Sequence, residues 1–222
     1  MKSNETLQQD VEDAIKWEPS LHAAEIGVIV KDGVVTLTGT VDSYAKKLEV
    51  EHAIRNVAGV HAVVQKIDVK LSSSAIKTDE DIASSALSAL QNNWSVPDRE
   101  IRVKVENGWL YLDGSVKWNY QKDAAERAVE DLTGVKGVIN NVAIKSDVHD
   151  KVEQRLVEDA LKRHWSINAD HIRVKVSGSN VTLTGTVGSL YQKREAARIA
   201  WKTPGVYTVD NKLEVEYDYA LA

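Results

Sequence analysis

Two spacings of hydrophobic residues alternate along this chain, and the alternation runs three times over. Leu7, Val11, Ala14 and Ile15 in "LQQDVEDAIKW" fall at the three- and four-residue intervals of one helix face, and "IASSALSALQNNW" (82–94) and "VEQRLVEDALKRHW" (152–165) repeat them. Strict alternation follows each time, as "IGVIV" at Ile26 to Val30 and as "IRVKV" at both Ile101 to Val105 and Ile172 to Val176. That period predicts a strand with one buried side. Next come Asp32-Gly33, Asn107-Gly108 and a turn around Gly178 to Asn180, which read as hairpin connections. The returning strand is "VTLTGTV" at Val35 to Val41 and again at Val181 to Val187, with "LYLDGSV" at Leu110 to Val116 between them. A second, alanine-rich helix is expected at about Tyr44 to Val57, Tyr120 to Leu132 and Tyr191 to Trp201, stopped at "AGV", "TGV" and "PGV". The last strand puts Val60 and Val63, Val135 and Val138, and Val206 and Val209 at matching places.

The spacing of glycines sets the register of the repeat. Gly39, Gly114 and Gly185 lie 75 and 71 residues apart, and twenty residues after each stands Gly59, Gly134 or Gly205. Three units of one design follow, covering 1–70, 78–146 and 147–217. Their fold class is α+β: tandem α-β-β-α-β modules, each a small three-stranded sheet with two helices on one face. Glycine weakens a strand interior, so Gly39, Gly114 and Gly185 predict a place where a helix backbone presses on the sheet. Gly59, Gly134 and Gly205 read as helix stops.

Composition narrows the class. Hydrophobic residues at 43% and charged residues at 27% are those of a globular protein with real cores. The formal charge of -5 gives no general attraction for nucleic acid, and with no cysteine there is no disulfide, thiolate nucleophile or cysteine-held metal. The start, "MKSNETLQQDVEDAIKWEP", has no apolar export segment, so the expected location is cytoplasmic, or periplasmic if a leader has been removed.

The valine-rich hairpin "GVVTLTGTV", the alanine-rich helix after it and the "GV" that opens the last strand resemble the BON domain, named for bacterial osmotic-stress and nodulation proteins. All three copies carry the pattern. The resemblance implies a non-enzymatic, stress-associated binding or adaptor protein that meets phospholipid or membrane surfaces or another protein. Its alternative implication is a sensor that binds a small ligand or ion between modules. It brings no catalytic residues and no cofactor.

The residues themselves carry little chemistry. His22, His52, His61, His149, His164 and His171 are not spaced as metal ligands with a carboxylate, and the acids fall on amphipathic helices whose solvated faces account for them. No glycine run has the phosphate-cradling spacing, and no serine stands at a hydrolase elbow. Trp17, Trp94 and Trp165 each close a first helix, where they read as rings capping the core, with anchoring at a membrane interface as the alternative. Trp109 and Trp118 belong to module two alone, and Trp201 to module three. Lys and Arg number 8 against 11 acids in 1–70, 9 against 11 in 71–146 and 11 against 11 in 147–222, so module three is relatively basic. Lys162, Arg163, Arg173, Lys175, Lys193, Arg194 and Arg198 are the candidate groups for an anionic surface there.

Overall fold

A computed structural model describes residues 2–21, 26–145, 152, 154–164 and 167–216. Module one runs α1 (Asn4–Lys16), β1 (Ile26–Lys31), β2 (Val34–Val41), α2 (Tyr44–Arg55) and β3 (Ala62–Val69). Module two runs α3 (Asp79–Asn92), β4 (Ile101–Glu106), β5 (Trp109–Val116), α4 (Asn119–Glu130), β6 (Gly137–Asn140) and β7 (Ala143–Ile144). In module three the order is α5 (Gln154–Lys162), β8 (Ile172–Ser177), β9 (Asn180–Val187), α6 (Leu190–Trp201) and β10 (Thr208–Val215). The three repeated α+β units are therefore present, although the last strand of module two is interrupted. A short 3-10 turn, Asp98–Glu100 or Ala169–His171, leads into the first strand of modules two and three.

Local chemistry starts and stops these elements. Hydroxyls of Ser3, Thr78 and Ser189 accept from the backbone N–H groups of Thr6, Asp81 and Gln192, satisfying donors that a helix start leaves open. The second helices end at Arg55 and Glu130, short of the expected Val57 and Leu132; Gly59 and Gly134 come four residues beyond those ends, in left-handed turns. Gly205 follows Trp201 in the same way, with φ 83°. In two hairpins both central residues are left-handed, with φ 50° and 77° at Asp32-Gly33 and 55° and 83° at Asn107-Gly108. The third hairpin turns on Gly178-Ser179 with only the glycine at positive φ, 63°, which is how serine comes to occupy the second place.

The repeated "VTLTGTV" strand is the central one. β5 runs antiparallel to β4 and parallel to β6 and β7, and β9 lies likewise between β8 and β10. Module one has the same order, β1-β2-β3. A parallel neighbour requires a crossover, and the second helix supplies it. Leu110, Leu112 and Val116, like Val181, Leu183 and Val187, point into cores that also take Ile82, Ala86 and Leu90 from α3, or Val157 and Leu161 from α5. Two helices thus cover one side of the sheet and leave the other open.

Gly114 and Gly185 are needed for a different reason from the one expected. Gly114 pairs with Ile101 and has φ 138°, and a Cβ added there would lie 2.1 Å from the carbonyl oxygen of Glu100. At Gly185, with φ 115°, the same atom would lie 2.0 Å from the carbonyl oxygen of His171. What presses on the glycine is the end of the 3-10 turn, not a long helix. Gly39 shares the conformation, with φ 128°. The glycines that approach a first helix are Gly59, where an added Cβ would lie 3.1 Å from Leu7 Cδ1, and Gly134, where it would lie 2.9 Å from Lys77 Cβ and 3.0 Å from Ile82 Cδ1.

A clamp that the periodicity does not reveal joins the first helix to the hairpin. Asp79 Oδ2 and Oδ1 accept from the N–H groups of Asn107 and Gly108 at 2.8 and 2.9 Å, and Asn4 Oδ1 accepts from the N–H of Asp32 at 2.9 Å. Hydrogen bonds to a charged acceptor contribute more than neutral ones, so Asp79→Ala should destabilise the protein by about 1–2 kcal/mol, read as a lower urea midpoint. An unchanged midpoint would show that the turn holds itself.

The chain gathers into one compact unit of Met1–Thr38, Glu49–Lys66 and Val148–Ala222 and another of Gly39–Leu48 and Ile67–Asp147. In the second, Tyr44 at the start of α2 packs against the module-two core. Burial raises its phenol pKa above the ordinary value, against a hydrogen bond with the Val138 backbone and with a smaller push from Glu126 and Glu130.

Candidate functional site

Trp17 is the residue that caps the end of α1, and Trp94 stands two residues past the end of α3. Both lie beyond the last regular turn, where the chain leaves the helix and no partner strand covers it. Trp17 is 84% exposed and Trp94 92% exposed, so neither ring caps a core, and that expectation is overturned at these two positions. Exposed apolar side chains mark a contact surface where they gather into a patch. Leu87, seven residues before Trp94 and 48% exposed, extends the apolar surface of α3. Trp165 falls outside the described residues. Trp201 is half-buried and packs on the core of module three.

The seven candidate cations of module three divide between opposite sides of it. Lys162 ends α5 with Arg163 next to it, both exposed, while Lys193, Arg194 and Arg198 lie on α6. Arg173 and Lys175 alternate with the inward Ile172 and Val174 and so project from the open sheet side, opposite Thr184 and Thr182. One flat surface cannot meet both groups. Arg198 is also engaged: its Nε donates to Glu195 Oε2 at 2.7 Å and its Nη2 donates to Oε1. Arg194, from the other direction, reinforces positive charge at α2. Burial first and Arg194 second push Arg55 down to about 10 and lower the His52 pKa, although Arg55 also pairs with Glu51.

Glu195 is the exception to the reading that the acids are solvated. It is buried, and besides Arg198 it has His164 Nε2 at 3.2 Å from Oε1. The hydrogen bond from Arg198 holds its carboxyl below the usual range, outweighing burial, with the charges of Arg198, His164 and Lys202 adding to the effect. His22 and His149 lie outside the described residues. Among the described residues, no group of three or more His, Asp or Glu side chains is placed to hold a metal ion, and no helix is long and apolar enough to cross a membrane.

Three tandem copies of one small α+β module, two of them with a described and exposed tryptophan at the end of the first helix, make up the architecture. The BON domain matches residues 3–70, 78–146 and 149–217, and the chain belongs to that family. It is similar to the osmotically-inducible protein Y of Escherichia coli, 30% identical over 61% of this chain and 69% of that protein. It is also similar to the outer membrane lipoprotein DolP of Haemophilus influenzae, 28% identical over 61% of this chain and 72% of that protein. Among solved structures, CdsD of the Chlamydia trachomatis type III secretion system is 18% identical over 97% of this chain and 94% of that one; its TM-score of 0.25 carries no structural argument.

Proposed function

We propose that this protein is a non-catalytic, stress-associated binding protein that attaches to phospholipid surfaces through the ends of its first helices. The observation that carries the reading is the exposure of Trp17 and Trp94 at equivalent ends. An indole ring is stable at the boundary between headgroups and acyl chains, where its apolar body is covered and its N–H stays wet. The relative induced by osmotic conditions supports the stress association, and the outer membrane lipoprotein supports a cell-envelope setting over the cytoplasmic one expected from the start of the sequence.

Cations beside such an anchor add attraction to anionic lipid, each contributing about 1 kcal/mol. In module three, Lys162 and Arg163 lie at the end that corresponds to Trp17 and Trp94, whereas Arg173 and Lys175 face the other way. Co-sedimentation with phosphatidylglycerol vesicles tests the assignment. Replacing Lys162 and Arg163 by glutamate should weaken binding at least tenfold and flatten its salt dependence, since screening acts over about 8 Å at physiological ionic strength. Replacing Arg173 and Lys175 by glutamate should leave binding intact. The reverse ranking would move the contact to the sheet, and no binding by the wild type at any salt would reject the proposal.

A further inference from the structure

The open side of the module-two sheet differs from its counterparts. Across β4, β5 and β6, Glu106, Trp109 and Gly137 stand in one row and Lys104, Tyr111 and Ile139 in the next. Module three has Ser177, Asn180 and Thr208, then Lys175, Thr182 and Asp210, in the same two rows. Module two, unlike module three, places two aromatic rings there.

Gly137 sets the orientation of one of them. A Cβ on Gly137 would lie 2.4, 2.6 and 2.9 Å from three consecutive carbons of the Trp109 six-membered ring, distances that a ring presents with its face and not with its edge. The indole therefore lies flat over a bare glycine, and its other face is turned to solvent, with the residue 41% exposed. Beside it, Lys104 Nζ sits 5.2 Å from the Tyr111 ring centre and pairs with Glu106 at 2.9 Å. Ile139, 36% exposed, borders the Tyr111 side. In the third row Arg102 is opposite Asp113, whose Oδ1 accepts from Asn141 Nδ2 at 3.3 Å.

We infer that this face is a saccharide-binding platform, with Trp109 stacking on the apolar face of a sugar ring and the surrounding polar side chains bonding its hydroxyls. Charge selects this occupant. Two cations and two acids alternate on the strands, with Lys104 already held by Glu106, so the platform offers no net positive field to a phosphate chain or an anionic headgroup. A neutral, hydroxyl-rich ring with one apolar face matches both the bare indole and the ring of donors and acceptors. Trp109 is thereby assigned a role separate from that of Trp17 and Trp94.

The test is an NMR titration of the full chain with cellotetraose, maltotetraose and chitotetraose, following the indole N–H resonances, with the Trp109 signal assigned by its loss in Trp109→Phe. At least one tetrasaccharide should shift the Trp109 signal saturably at millimolar concentration and leave the Trp94 signal in place. Trp109→Ala should weaken binding at least tenfold. Gly137→Ala, which keeps the aromatic ring but lifts it off the sheet, should do the same; Gly137 has no left-handed φ, so the added methyl does not strain the backbone. No shift with any of the three sugars would overturn the inference. So would undiminished binding by Trp109→Ala, or a Trp109 response to a single-stranded oligonucleotide or peptide in place of sugar.

Discussion

Gly114→Val should lower the unfolding midpoint of the protein by more than any other single change considered for its fold. Two costs combine. The new Cβ falls 2.1 Å from the Glu100 carbonyl oxygen, a backbone atom that yields only if the 3-10 turn is displaced from the sheet. Overpacking of this kind costs about 1–3 kcal/mol. The φ of 138° is one that a β-branched residue avoids, adding about 1–3 kcal/mol of backbone strain. Against a typical domain stability of about 5–15 kcal/mol, the sum threatens module two as a whole. Gly114→Ala carries the same Cβ and should retain most of the loss. Gly178→Ala is the control, because its φ is 63° but nothing lies within 4 Å of the added atom. Urea unfolding in which Gly114→Val matches the wild type would refute the close approach, and equal losses for Gly114→Ala and Gly178→Ala would attribute the cost to φ alone.

That glycine also marks how far the sequence carries. Its interval of 75 and 71 residues, and the shift from helical to alternating spacing, are local patterns repeated in the letters, so module number, element order and hairpins are legible. The partner of Gly114 is not legible, because Glu100 reaches it only after β4 and β5 have paired. Which strand is central is likewise fixed by long-range pairing. The exposure of Trp17 and Trp94 escaped for another reason: periodicity assigns a face to residues within a helix, and these two lie where the helix has ended. Glu195 looked like any surface acid in "QKREAARIA" until the fold brought His164 up to it. The alternation in "NGWLYLDG" does place Trp109 and Tyr111 on one side of a strand; that Gly137 lies under the indole depends on the β5–β6 register.

The second large effect concerns binding. Replacing both Trp17 and Trp94 by alanine should reduce association with phospholipid vesicles by at least tenfold, with the fold unchanged. Covering one large aromatic side chain contributes about 1.5–3 kcal/mol, and 1.4 kcal/mol is a factor of ten. Because the rings are 84% and 92% exposed, their removal opens no cavity, so the urea midpoint should stay at its wild-type value. That separation of binding from stability distinguishes an anchor from a structural ring. A drop in midpoint together with binding would assign the rings to packing.

The most direct test of the membrane-anchor claim is where those rings go when lipid is present. Vesicles of phosphatidylglycerol with bromine on the acyl chains quench an indole only when it enters the bilayer boundary. Tryptophan emission of the wild-type chain should be markedly lower with them than with unbrominated vesicles at the same lipid concentration, while the Trp17→Ala/Trp94→Ala protein loses most of that difference. Emission of the wild type that is the same with brominated and unbrominated vesicles, under conditions where the protein sediments with both, would contradict insertion of these helix ends.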